Sequence, residues 1–172
     1  IGMAPDARWI GCRNMQRGLG NPASYTDCME FLLAPYPVDG DPFADGNVSK
    51  AAHVINNSWG CPDNEGCDDG VLEPATDALR AAGIMMVVSA GNDGPGCQTV
   101  SEPPARYDNV FSVGATNDFG AITGFSSRGP VEGTDALLKP DIAAPGADIR
   151  SSVPGGGYGL ADGTSMAGPH VA

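Results

Sequence analysis

Ser165 stands in a short segment whose residue types suit nucleophilic chemistry. Residues 163–172 read Gly-Thr-Ser-Met-Ala-Gly-Pro-His-Val-Ala. A serine in the first turn of a helix lies in the positive field of the helix dipole, close to free backbone N–H groups. Its small neighbours would let a substrate backbone approach the hydroxyl. On position alone, an ordinary helix N-cap is the alternative role for Ser165.

Asn92 is the second residue whose surroundings point to chemistry. It follows the apolar run 84–90 and lies in the sequence Ala-Gly-Asn-Asp-Gly. Acyl transfer forms an oxyanion at the attacked carbonyl, and an amide N–H aimed at that oxygen stabilises it by ~3–4 kcal/mol. The alternative is a turn asparagine that adopts unusual backbone dihedrals.

The elements that must position these residues follow from apolar runs and helical spacing. Strands are predicted over 7–12, 54–58, 84–90, 110–115 and 142–144. Helices are predicted from Ser24 or Thr26 to 33, over 71–82, and from 163 or 164 onward. A continuous apolar run such as 84–90 is typical of a strand buried on both faces. We therefore expect an α/β fold, a mostly parallel sheet with helices on both faces, whose functional residues gather at strand ends.

Several segments, in order, resemble the subtilisin-like serine peptidases. Segment 163–172 resembles the family's nucleophile segment, 90–92 its Ala-Gly-Asn motif and 58–60 its Ser-x-Gly segment. Residues 125–130 and 139–146 are similar to two further segments of the family. The ordered match runs from about residue 4 to 172. The Ser-Trp-Gly-Cys stretch resembles the bacillopeptidase F-like branch. The resemblance implies that Ser165 attacks the scissile carbonyl while Asn92 and the Ser165 backbone N–H hold the oxyanion.

The resemblance also implies where a peptide binds. Residues 58–60 would form one wall of the primary specificity pocket. Their backbone would pair with an extended peptide as the edge strand of a sheet does, which is a known recognition mode. The opposite wall would follow the strand 84–90. The expected substrate-binding residues are Ser58, Trp59, Gly60, Ser89, Ala90, Gly91 and Thr164.

A general base for Ser165 is not found in these motifs. The mechanism needs a histidine and an aspartate that orients it, and the family's segments for both are absent from this sequence. His170 lies more than a helical turn beyond Ser165 and off its face, so we assign it a structural role. His53 and Asp141 stand in no catalytic context. We expect a fold incomplete at both ends, with residues 1–172 as the C-terminal part of a catalytic domain, inactive alone.

Composition limits the classes of partner. The chain has 9 basic and 21 acidic residues, a net charge of −12, which would repel nucleic acids and anionic membranes. No apolar run approaches the ~20 residues of a membrane span. The acidic surface favours a secreted protein. The family resemblance implies a protein or peptide substrate and a chemistry without a cofactor, and we expect a monomer.

Five cysteines cannot all pair within the chain. We predict one disulfide among Cys61, Cys67 and Cys97, while Cys12 and Cys28 are either buried thiols or a second pair. Without a Cys-x-x-Cys pair, a zinc site is not expected. The acidic loop 61–69 lacks the EF-hand pattern, so it is interpreted as a solvated loop. Structural calcium elsewhere stays open by family resemblance.

Two alternative functions remain at this stage. A catalytically dead homologue could act as a peptide-binding module. A different serine hydrolase, such as an esterase, is disfavoured because Ser165 does not lie in a Gly-x-Ser-x-Gly turn.

Overall fold

Within the described residues, which are 2–131, 133 and 136–172, four parallel strands form the main sheet of the computed structural model. They are β1 (Val54–Asn57), β2 (Met85–Ser89), β3 (Phe111–Thr116) and β4 (Ile142–Pro145). The strands pair in that order, each parallel to its neighbour. The predicted α/β class with a mostly parallel sheet is confirmed.

Helices cover both faces of this sheet. The helices are α1 (Pro22–Leu33), α2 (Glu73–Ala81) and α3 (Thr164–Val171). Successive side chains of β2 alternate between two apolar clusters, because strand side chains point to opposite faces. Met86 and Val88 join Leu79 of α2 in one cluster, and Val87 packs with Ala167 of α3 in the other. The continuous apolar run of β2 is therefore explained by burial on both sides.

Helix α1 begins earlier than the sequence predicted. Asn21 is its N-cap, and its side-chain oxygen accepts from the Ser24 backbone N–H at 3.0 Å. The Ser24 hydroxyl accepts in turn from the Asn21 N–H at 3.2 Å, which completes a capping box. The predicted caps Ser24 and Thr26 are thus inside the helix. Pro22 suits the first helical position, where no N–H is needed.

The N-terminal segment does not form the predicted strand. Residues 7–12 adopt no regular structure, and Trp9 is 87% exposed. Within the described residues this segment has no neighbouring strand to bond to, and apolar residues alone do not make a strand. Its end is instead attached to α1 through the disulfide between Cys12 and Cys28.

A second sheet was missed by the sequence analysis. β5 (Ile149–Val153) and β6 (Gly157–Ala161) form an antiparallel hairpin. The turn between them contains Gly155 and Gly156, both at positive φ. Most of the side chains in these strands are exposed, so they show no apolar run that would indicate a strand.

Within the described part of the chain, the cysteines pair as Cys12–Cys28 and Cys61–Cys67, each with a Cα–Cα distance of 5.6 Å. Cys97 is free and exposed. The predicted disulfide among Cys61, Cys67 and Cys97 is confirmed, and Cys12 and Cys28 form the second pair. None of the described helices has the length and apolar character to cross a membrane.

An ion pair formed by a buried lysine joins β3 to the segment before β4. The Lys139 ammonium donates to Asp141 Oδ2 and to the Val110 carbonyl oxygen, both at 2.8 Å. The same carboxylate oxygen accepts from the Ser112 N–H at 2.7 Å and from its hydroxyl at 3.0 Å. We call these four residues the polar junction. Asp141 therefore has a structural position here.

Candidate active site

The carboxyl ends of β1 and β2 meet the start of α3 at a cavity of about 330 Å³. Parallel strands present their carboxyl ends at one edge of the sheet, where ligands of such folds bind. The cavity is lined by Ser58, Trp59, Gly60, Ser89, Ala90, Gly91, Asn92 and Ser165. The two predicted walls, residues 58–60 and 89–91, thus lie around the same cavity as Asn92 and Ser165.

Ser165 lies in the first turn of α3, half-buried at the cavity. Its hydroxyl donates to the Ser58 carbonyl oxygen at 3.3 Å, and the Ser58 hydroxyl donates to the Ser165 carbonyl oxygen at 2.9 Å. Gly163 is the N-cap of α3 and makes no side-chain cap bond. The alternative role of Ser165 as an N-cap is therefore wrong, and its hydroxyl remains available at the cavity.

Asn92 is held in one orientation by Thr164. Its Oδ1 accepts from the Thr164 backbone N–H at 2.9 Å and lies 3.1 Å from the Thr164 hydroxyl. Since a backbone N–H can only donate, the oxygen of the amide must face Thr164 and the NH2 must face away. Among the described residues no acceptor bonds Nδ2, which lies beside the turn at Gly163. The site thus contains an oriented amide donor without an acceptor.

Thr164 is buried and lies behind the cavity wall. Its hydroxyl is 3.2 Å from the Gly91 carbonyl oxygen and accepts from the Gly91 N–H at 3.3 Å. Among the described residues that line the cavity, Thr164 is not found, although the sequence analysis placed it with the substrate-binding residues. Its contacts join α3 to the turn after β2, so that Asn92 and Ser165 hold a fixed relative position.

The segment 125–129 supports the Asn92 turn from outside. The Ser127 N–H donates to the Gly91 carbonyl oxygen at 3.0 Å, and the Ser127 hydroxyl accepts from the Asp93 N–H at 3.1 Å. The Gly94 N–H donates to the Phe125 carbonyl oxygen at 2.9 Å. A Cβ at Gly94 would collide with backbone oxygen of this segment. The segment that the family resemblance singled out therefore fixes the turn.

Two carboxylates in the cavity were missed by the sequence analysis. Asp93 and Glu102 both line it. The pKa of Glu102 is raised, first by burial and then by the negative charges of Asp93, Glu65 and Asp63. Asp93 follows Asn92 directly, which could have drawn attention to it. Glu102 stands in an irregular segment with no sequence signal for its position.

Neither histidine reaches the cavity in the described structure. His170 Nδ1 lies 2.8 Å from the Met166 carbonyl oxygen of its own helix, and His53 is exposed just before β1. Serine attack needs a base within about 3 Å of the hydroxyl. The described lining of the cavity contains no histidine in that position.

The acidic loop closed by Cys61 and Cys67 does not gather a set of metal ligands. Across the described residues, no group of three or more His, Cys, Asp or Glu side chains could hold a metal ion. Glu65 instead accepts from the Tyr25 hydroxyl and from the Gly20 N–H. These contacts attach the loop to α1 and to the residues that precede it.

A known protein family and several characterised proteins align with this chain over nearly its whole length. The statistical model of the subtilase family matches residues 1–172. Bacillopeptidase F of Bacillus subtilis (strain 168) is 40% identical over 175 residues, which cover 99% of this chain and 12% of that protein. A thermophilic serine proteinase of Bacillus sp. (strain AK1) is 33% identical over 172 residues, covering 99% of this chain and 35% of that protein. The chain thus spans well under half the length of these relatives.

Solved structures share this fold. The prenylagaramide maturation protease PagA matches with a TM-score of 0.69 at 29% identity, over 93% of this chain and 50% of that one. A serine-to-alanine mutant of the protease domain of PatA matches with a TM-score of 0.67 at 31% identity, over 91% of this chain and 48% of that one.

Proposed function

Because the chain belongs to the subtilase family, we propose that residues 1–172 are the C-terminal part of the catalytic domain of a serine endopeptidase. The observation that supports this most directly is the pairing of Ser165 with an oriented amide in one cavity. Asn92 has its oxygen held by Thr164 and its NH2 free of acceptors among the described residues. This is what an oxyanion donor requires before substrate arrives.

In the proposed reaction Ser165 Oγ attacks the carbonyl carbon of a peptide bond. Its proton passes to a general base and then to the leaving amine, so that the C–N bond breaks and an acyl-enzyme remains on Ser165. Water then attacks the ester and gives a proton to the same base, which passes it to Ser165 Oγ as the ester C–O bond breaks and the acid product leaves. We propose that the base is a histidine, oriented by an aspartate, and that both lie outside residues 1–172.

The charge that develops on the carbonyl oxygen would be held by two donors. One is Asn92 Nδ2 and the other is the backbone N–H of Ser165, which lies in the first turn of α3 where such groups have no helical acceptor. Thr164 acts as a positioning residue because its backbone N–H donates to Asn92 Oδ1 and its hydroxyl lies beside the same oxygen. Fixed donors need no reorganisation during the reaction, which is why they accelerate it.

The peptide substrate would extend along Ser58, Trp59 and Gly60, which follow β1 and line the cavity. Ser89, Ala90 and Gly91 form the facing wall.

No cofactor takes part in the proposed chemistry. Disulfides are formed mainly in oxidising compartments, so the two pairs within the described residues support a secreted enzyme. We also expect it to be a monomer.

The test is covalent labelling of the full-length protein with a fluorophosphonate, which reacts with activated serines. We expect one label on Ser165 and hydrolysis of an unfolded protein substrate. Ser165→Ala should remove the label and lower kcat by about 10⁶-fold, the size known for loss of the nucleophile in a subtilisin. Residues 1–172 alone should hydrolyse nothing. A folded full-length protein that neither labels nor cleaves, yet binds peptides, would support a peptide-binding module instead.

A further inference from the structure

Glu102 is a carboxylate in the cavity with no cationic partner. Among the described residues, the ion pairs are Arg106–Asp69 and Lys139–Asp141, so no cation in this part of the chain pairs with Glu102. Arg106, the nearest cation along the sequence, bonds the Ser101 carbonyl oxygen and Asp69. Glu102 is exposed to the cavity that it shares with Ser165.

The backbone around Glu102 is held firmly against the cavity wall. The Cys61 N–H donates to the Pro103 carbonyl oxygen at 2.8 Å, which joins the Glu102 segment to the wall after β1. A Cβ at Gly60 would collide with the Glu102 carboxylate and approach its Cβ to 3.3 Å. The carboxylate therefore lies directly against the residue that walls the cavity, and a Cβ at Gly60 would displace it.

The charged side chains around Glu102 are themselves carboxylates, so they repel its negative charge and do not neutralise it. Asp93 lines the same cavity, and Glu65 and Asp63 belong to the loop that follows the wall. Their repulsion and partial burial raise the pKa of Glu102, because both effects disfavour the charged form. A cation entering the cavity would relieve this cost, whereas an anion would increase it.

Trp59 gives the cavity a second feature that suits a basic side chain. Its ring stacks on Tyr25 with centroids 4.0 Å apart and an interplanar angle of 10°, which keeps it in place. Lysine and arginine pack their aliphatic stems along apolar surface while the charged end seeks a partner, and aromatic faces attract cations. The Glu102 carboxylate and the Trp59 ring in one cavity therefore suit an organic cation that carries an aliphatic stem.

We propose that this cavity binds the side chain of a lysine or arginine in the substrate and that Glu102 selects it. Since Ser165 lines the same cavity, the basic residue is the one whose carbonyl is attacked, and cleavage follows it. This specificity rests on the proposed peptidase function. Glu102 acts as a specificity-determining residue, with no part in the bond-breaking steps.

The experiment uses the full-length enzyme and a pair of peptides that differ only in lysine or methionine before the cleaved bond. These side chains have similar length but different charge. We expect kcat/KM to be higher for the lysine peptide. Glu102→Gln should lower it by about 10- to 100-fold for lysine and leave methionine within about threefold. The control Glu30→Gln removes an equal charge from an exposed position of α1 that does not line the cavity.

Unchanged cleavage of the methionine peptide also shows that the variant is folded. Glu102→Lys should shift the preference towards a glutamate peptide. Active enzyme with no preference for basic residues, or a preference that Glu102→Gln leaves intact, would overturn the proposal. Failure to label Ser165 or to cleave either peptide would instead overturn the peptidase function on which it rests.

Discussion

The cavity and the polar junction are both clusters of charged and hydrogen-bonding groups at strand ends of one sheet, the cavity at carboxyl ends and the junction at amino ends. They differ in how these groups are paired. In the polar junction, Lys139 and Asp141 satisfy each other and bond Val110 and Ser112 as well. In the cavity, Asn92 Nδ2 and the Glu102 carboxylate have no acceptor or cation among the described residues.

We interpret this difference as one between groups that serve the fold and groups that the proposed function reserves for a substrate. Buried polar atoms are costly unless they are paired, so a fold that has only to be stable pairs them internally, as the polar junction does. A site for reaction must keep donors and charges unpaired until substrate arrives. Changes in the cavity should therefore alter activity, and changes in the polar junction should alter stability.

The largest expected effect is that of Asn92→Ala in the full-length enzyme. It removes the proposed oxyanion donor, and kcat should fall by roughly 100- to 1,000-fold, a range known from the equivalent asparagine of a subtilisin. KM should change little, because the donor acts in the transition state. Titration of active sites with kcat measured per site checks this. A kcat within about threefold of the parent enzyme would remove Asn92 from the mechanism.

Asn92→Asp is the matched variant. It keeps an oxygen that can accept from the Thr164 N–H and replaces the donor with an oxygen that shares a negative charge, so kcat should fall at least as far as in Asn92→Ala. Its stability should therefore stay closer to that of the parent than the stability of Asn92→Ala, which leaves the Thr164 N–H without a partner at a cost of about 1–3 kcal/mol. If both variants lose kcat, the lost donor and not a displaced turn is responsible.

The opposite pattern is expected for Lys139→Met in the polar junction. The Lys139 side chain is almost fully buried, and its loss leaves the Asp141 carboxylate and the Val110 carbonyl oxygen without their cation. The free energy of unfolding should fall by roughly 2–4 kcal/mol, since Asp141 keeps partial contact with water. Denaturant melts measure this. A loss of kcat per folded molecule, without loss of stability, would break the comparison.

A smaller effect should appear in the pH dependence of selectivity. The pKa of Glu102 is raised by burial and by Asp93, Glu65 and Asp63, and only the ionised form attracts a lysine side chain. The lysine-to-methionine ratio of kcat/KM should therefore rise with pH, through a range above that of an ordinary glutamate. Taking the ratio cancels the titration of the catalytic base. Glu102→Gln should give a flat ratio, and a flat ratio in the parent enzyme would contradict the assignment.

The smallest expected effect is a gain in stability from Glu102→Gln. A carboxyl whose pKa is raised in the folded state binds its proton more tightly there than when unfolded, so stability falls as pH rises through the raised pKa. Glutamine resembles the protonated form. The variant should thus unfold at slightly higher denaturant concentration than the parent near neutral pH, with no difference in acid. A less stable variant at neutral pH would mean that Glu102 serves the fold.

The strands of the main sheet could be predicted because burial on one or both faces leaves an apolar pattern in the sequence. The predicted strand 54–58 corresponds to β1, and the run 84–90 contains β2. The hairpin of β5 and β6 left no such pattern, since its exposed strands are held together by mutual backbone pairing. The wrong strand at 7–12 shows the converse case of apolar residues without a partner strand.

Some residues of the candidate site could likewise be predicted from the sequence, and others could not. Ser165, Asn92 and the walls stand in short motifs at the ends of regular elements, so the sequence indicated them, and the structure places them around one cavity. Their catalytic roles remain predictions. Glu102 could not be predicted, because its position depends on how the irregular segment before β3 is bonded to Cys61.

The hydrogen bonds at the cavity also have a consequence for synthesis of the protein. Ser58 and Ser165 are 107 residues apart in sequence, and Asn92 and Thr164 are 72 apart. Contacts between such distant residues form late in folding, and a ribosome adds α3 long after β1 and β2. While the chain is being made, the turn that orients Asn92 lacks Thr164. An unfolded nascent polypeptide is a good substrate for a peptidase. Because the active site of the same chain is not yet assembled, the chain cannot cleave itself while it is being made.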